Sequence, residues 1–136
     1  MLTGDPYAQY KSQSLATLAP GEVLVKLFDE CIKQMRLASI GINQRNFAAT
    51  NDSLTKTQAI LTTLASSLDM RYPIAGELKP MYIFLAQQLL KANLKKDSHM
   101  IDECISLIKD LREAFSQAEK ISRQKHHAVM GGKSAV

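Results

Sequence analysis

Apolar residues recur at intervals of three and four along most of this chain, and polar runs cut the pattern into four segments. Such spacing puts one apolar stripe on an α-helix. The first segment opens at Pro20 and carries Leu24, Leu27, Phe28, Cys31, Met35, Ala38 and Ile42 on one face. A proline's missing N–H costs nothing in a first turn, and Glu22 suits the positive end of the helix dipole. Gly41 and the run Asn43-Gln44-Arg45-Asn46 end this helix. The second runs from Phe47 to Leu68 with Phe47, Leu54, Leu61, Leu64, Ala65 and Leu68 inward. Thr57 and Gln58 fall on that face and weaken its middle. Asp69-Met70-Arg71-Tyr72-Pro73 breaks it, since a residue before proline avoids the helical region.

The third segment, Ala75 to Leu94, is apolar on two sides. Ile74 or Leu78, then Met81, Tyr82, Leu85, Leu89 and Ala92, make a core face. Ile83, Ala86, Leu90 and Leu94 form a second stripe about a third of a turn away. Pro80 falls within the first turn or so, where it is tolerated. Asp97 is a good N-cap for a fourth helix. Its face is Ile101, Cys104, Ile105, Ile108, Leu111, Phe115 and Ala118, flanked by Met100 and Leu107, and it ends near Arg123. No stretch sustains the alternation of a strand. Short connections between long helices favour antiparallel neighbours. The expected fold is all-α: an antiparallel four-helix bundle over residues 20–123. Residues 1–19 form an arm or short fifth helix, and residues 124–136 a disordered tail.

Composition adds little and removes much. The 136 residues suffice for one domain with a real core. No apolar run approaches a membrane span, and the first residues lack a signal-peptide pattern, so a cytoplasmic location without stable membrane insertion is expected. Cys31 and Cys104 sit at apolar, helix-spaced positions and read as buried thiols rather than a disulfide. The net charge of +4 comes from 17 basic and 13 acidic residues. The basic residues are mixed with acids along polar faces, without aromatic interleaving, so a solvated surface explains them better than nucleic-acid binding. A basic bundle binding nucleic acid, or another helical protein partner, is the alternative reading. A ferritin-like metal centre needs Glu-x-x-His pairs, and none occurs. No Cys–His pair or glycine-rich phosphate loop is recognisable either. No catalytic residue, metal or cofactor is expected.

An unused apolar stripe calls for a cover or a partner. The candidate partner-binding residues are Ile83, Leu90 and Leu94 on the third helix and Leu107 on the fourth, with Tyr7 and Tyr10 in the arm as contact or lid. Tyrosine supplies large apolar area with a polar tip.

The ordered set Tyr7-x-x-Tyr10, Thr17-x-x-Pro20-x-x-Val23-Leu24, Leu27-Phe28-Asp29, Ser66-Ser67-Leu68-Asp69 and Leu89-Leu90-Lys91-Ala92-Asn93-Leu94-Lys95-Lys96-Asp97 resembles the FliS family of flagellar secretion chaperones. The resemblance covers roughly residues 5–120. It implies a bundle that holds the C-terminal segment of flagellin, prevents its early polymerisation and delivers it to the flagellar export apparatus. Apart from the resemblance, apolar surface left uncovered when flagellin is absent would invite self-association. The chain departs from the family at Ala19, where a Ser or Thr usually precedes the proline, and at Glu30, where the family has glycine.

Overall fold

The computed structural model describes the backbone of residues 20–135, and the side chains of residues 22–118, 120 and 121. Four helices and no strand occur there: α1 Pro20–Asn43, α2 Phe47–Ser66, α3 Pro73–Lys95 and α4 Ser98–Ala135. Residues 27–109 form one compact unit; the described residues 20–26 and 110–135 belong to a second. The core described here lies in the first.

Every helix gives this core one face. Phe28, Cys31, Met35 and Ala38 come from α1, Leu54 and Leu61 from α2, Leu85, Leu89 and Ala92 from α3, Ile101 and Ile108 from α4, all fully buried. Each such large side chain contributes about 1.5–3 kcal/mol through lost apolar exposure. Phe28 and Tyr82 meet as tilted rings, centroids 6.3 Å apart.

Some expected core positions lie outside it. Ile74, Met81 and Phe47 are exposed, as is Ala118. Ile74 stands in the first turn of α3 and Met81 two turns on; further along that side Leu85 and Ala92 are fully buried. Leu78 takes the inward place instead. Conversely, Thr57 on the inner face of α2 is buried and paired. The Thr57 hydroxyl donates to the Ser53 carbonyl at 3.0 Å. A buried hydroxyl satisfied within its own helix costs little, so Thr57 does not interrupt the face.

The corner from α1 to α2 is a close backbone approach. α1 passes through Gly41 and stops at Asn43, in the polar run expected to end it. Arg45, at φ 56°, closes it. The Asn46 N–H donates to the Gly41 carbonyl at 2.7 Å and the Arg45 N–H to the Ile42 carbonyl at 3.1 Å, the paired bonds of a left-handed helix cap. The Thr50 hydroxyl donates to the Ala38 carbonyl at 3.0 Å, stitching α2 to α1. A Cβ on Gly41 would collide with that hydroxyl and sit 2.9 Å from the Asn46 carbonyl oxygen. Gly41 is there for space, and the left-handed cap falls four residues later.

The corner from α3 to α4 repeats the device. Lys96 takes φ 53°, its N–H reaches the Asn93 carbonyl, and the Asp97 N–H reaches the Ala92 carbonyl at 3.0 Å. Asp97 then caps α4 as expected, accepting from the His99 N–H at 3.0 Å and the Met100 N–H at 3.3 Å. α4 continues to Ala135, beyond the end expected near Arg123. Good helix formers such as Gln124, Lys125 and Ala128 favour this extension.

Two outcomes follow from this packing. Gly41→Ala should destabilise the fold by about 1–3 kcal/mol, because the atoms it meets include backbone; chemical denaturation of both proteins measures this. Burial pushes the Cys31 thiol up to about 12, with the Glu30 charge adding to it, and the Cys104 thiol up to about 11, with Glu103 adding. The fold therefore favours neutral thiols. That stabilisation is whole below the ordinary value of 9.0 and is lost as pH rises beyond it. Thiol reagents at pH 8 should modify both cysteines slowly in the folded protein and promptly in denaturant.

Candidate functional site

Two side-chain hydrogen bonds set α3 against α2. The Asn93 amide donates to Asn51 Oδ1 at 2.9 Å, and the Gln58 amide donates to the Ala86 carbonyl at 3.1 Å. Seven residues forward on α2 match seven residues back on α3, so these two helices run in opposite directions. Leu61, Leu64 and Ala65 of α2 and Tyr82, Leu85 and Leu89 of α3 are buried.

Beside this interface the two helices leave an open groove of about 400 Å³. Gln58, Leu61, Thr62, Ala65 and Ser66 line it from α2, and Lys79, Tyr82, Ile83, Ala86, Gln87 and Leu90 from α3. The walls differ. Gln58, Thr62 and Ser66 recur every fourth residue and make a neutral polar row. On α3, Ile83 and Leu90 stand 42% and 50% exposed, large apolar side chains facing water. Leu61, Ala65 and Tyr82 are buried, and small Ala65 and Ala86 keep the groove open between larger neighbours. Burial raises the Tyr82 hydroxyl well above its ordinary pKa, so it stays un-ionised at neutral pH.

Nothing among the lining residues is equipped for catalysis. It holds one charge, Lys79, and no carboxylate, histidine or thiol. Among the described residues no group of His, Cys, Asp or Glu is placed to hold a metal, and no helix is long and apolar enough to cross a membrane. An apolar trough about three helical turns long between Lys79 and Leu90 can instead receive an apolar side-chain row from another chain.

The candidate residues separate into three groups. Ile83 and Leu90 come together in the groove. Leu94, one turn beyond Leu90, is 78% exposed and outside the lining; Leu107 is also exposed, on α4, and outside it too. Tyr7 and Tyr10 lie outside the described residues. Sequence reasoning placed Leu61, Ala65 and Tyr82 in the core alone, passed over Thr62, Lys79 and Gln87, and used Ser66 only as part of a family motif. The spacing of Gln58, Thr62 and Ser66 was the available signal: a polar row bordering an apolar stripe marks a rim.

Comparison with known proteins points one way. A family model described as "Flagellar protein FliS" matches residues 3–122. The chain is 30% identical over 131 residues to a flagellar secretion chaperone FliS of Bacillus subtilis, covering 96% of this chain and 98% of that one. It is 29% identical over 115 residues to the protein of that description from Salmonella typhimurium, covering 82% and 85%. The counterpart from Vibrio cholerae is 28% identical over 105 residues, covering 76% and 77%.

Adjacent leucines on α3 should behave oppositely. Leu89 is fully buried, so Leu89→Asp places an unpaired charge in the core and should cost more than about 4 kcal/mol. Leu90→Asp, half exposed, should cost about 1 kcal/mol or less. Thermal melts followed by circular dichroism separate the two.

Proposed function

Since the chain belongs to the FliS family of flagellar secretion chaperones, and is therefore a chaperone rather than an enzyme, we propose that it binds the C-terminal segment of flagellin along the α2–α3 groove. The observation that carries this reading is that groove: large apolar side chains on an open wall beside a satisfied, well-packed core. A soluble surface keeps Ile83 and Leu90 facing water at a thermodynamic cost, and a cover removes that cost. An amphipathic helix laid in the groove is the economical cover. Leu94 extends the apolar edge one turn further, and Leu107 supplies a separate apolar contact on α4.

Binding in the cytoplasm keeps flagellin's assembly segment from pairing with other copies. Release at the flagellar export apparatus follows if the affinity is moderate. A partner that folds on binding gives this combination, because ordering the segment offsets part of the gross contact energy. The four helices act as an antiparallel bundle whose core is complete before the partner arrives, so the groove is preformed. No nucleotide, metal or other cofactor takes part.

Calorimetry with full-length flagellin and with flagellin lacking its C-terminal segment tests this. Binding should be measurable to the first and absent from the second; equal binding to both overturns the reading. Ile83→Asp and Leu90→Asp should each weaken binding at least about tenfold, equivalent to about 1.4 kcal/mol. Their melts should stay close to that of the unaltered protein.

A further inference from the structure

We propose that Lys79 selects and orients the bound segment by pairing with an acidic side chain beside that segment's apolar stripe, an inference that rests on the groove being the flagellin site. Lys79 is the one charged residue in the lining, and it stands at the end of the groove opposite Leu90. The hydrogen bonds from Asn51 to Asn93 and from Gln58 to Ala86 define the α2–α3 register, and that register puts Ala65 across from Lys79. The residue directly across is thus small, between the short uncharged side chains of Thr62 and Ser66, which leaves room for a partner's side chain to approach the ammonium.

Neighbouring charges leave Lys79 available. It makes no salt bridge among the described residues. Asp69, on the connection between α2 and α3, is already held by Arg71 in a two-point pair, with Arg71 Nη2 2.6 Å from Asp69 Oδ2. The polar groups that share the lining are neutral: Gln58 is occupied by the Ala86 carbonyl, while Thr62, Ser66 and Gln87 carry no charge.

A lone cation at one end of an apolar trough breaks its symmetry. An amphipathic helix can lie in a plain trough in either direction with similar burial. With Lys79 present, only one direction brings the helix's acid to the ammonium, and the reverse direction leaves both charges against apolar surface. An ammonium at the end of an uncharged groove is partly desolvated by the arriving helix, so its pairing is worth more than an ordinary surface salt bridge. The occupant is therefore an apolar helical stripe with a carboxylate side chain flanking one end.

A double-mutant cycle on the full chain tests this, with binding measured by calorimetry. The partners are the flagellin C-terminal segment and the same segment with its Asp and Glu changed to Asn and Gln. The protein is unaltered, Lys79→Gln, or Lys56→Gln as a control on an exposed lysine outside the groove. Lys79→Gln should weaken binding of the native segment about fivefold or more, and the amide segment should bind the unaltered and Lys79→Gln proteins equally. Lys56→Gln should change neither. A native segment that binds the Lys79→Gln protein as tightly as the unaltered one overturns the inference while leaving flagellin binding intact. So does a loss of equal size with both segments, or a loss abolished only by amidating the segment's terminal carboxylate. Absence of any binding to the unaltered protein overturns the function itself.

Discussion

The register of α3 on α2 decides which side of α3 is core and which side is open. A helix with two apolar stripes could bury either one against its neighbour. The bonds from Asn93 to Asn51 and from Gln58 to the Ala86 carbonyl hold one arrangement. In it Leu85, Leu89 and Ala92 pack inward while Ile83 and Leu90 border the groove. Rotating α3 about its axis would bury the second stripe, but would leave the Gln58 amide and Asn93 without these partners. Such polar contacts add little net energy when made and cost more when lost, so they act chiefly against alternatives.

The two corners hold α2 and α3 in place. Each ends its helix with a non-glycine residue in the left-handed conformation, Arg45 in one and Lys96 in the other. Each residue takes on local strain that the surrounding bonds offset. At the first, Gly41 and Thr50 let backbone approach backbone. At the second, Lys96 also donates to the side chain of Asn93, which itself donates to Asn51. The motif Leu89 to Asp97 thus carries core, groove edge, cross-helix bond, left-handed turn and helix cap in nine residues. Its separate jobs explain why its letters form no simple period.

This division suits a chaperone. A protein whose core already satisfies its buried side chains does not need its client to fold, and among the described residues no buried side-chain polar atom lacks a partner. Apolar surface can then be set aside for binding at a cost the core tolerates. The two faces of α3 are adjacent in sequence but differ in what they hold: Leu89 lies fully in the core, while Leu90 stands half exposed at the groove.

Helix number and most of the core were legible in the sequence because the three-and-four spacing of Leu27, Phe28, Cys31 and Met35, or of Ile101, Cys104, Ile105 and Ile108, is a local consequence of helix geometry, although α3 starts at Pro73 and so holds Pro80 two turns in rather than in its first turn. Asp97 as a cap and Tyr72-Pro73 as a break were local too. The second stripe was visible as a surplus, and Ile83 and Leu90 with it. What lies opposite a residue was not visible, since periodicity is unchanged when a helix turns about its axis by the width of one stripe. Only the packed structure decided that Met81 and Ile74 face solvent while Leu78 faces the core. Packing also made Gly41 a contact point, let Thr57 bury at no loss, and placed Lys79 at the mouth of an apolar groove. These outcomes depend on atoms from two helices meeting at particular distances, and a one-dimensional pattern carries no such distances.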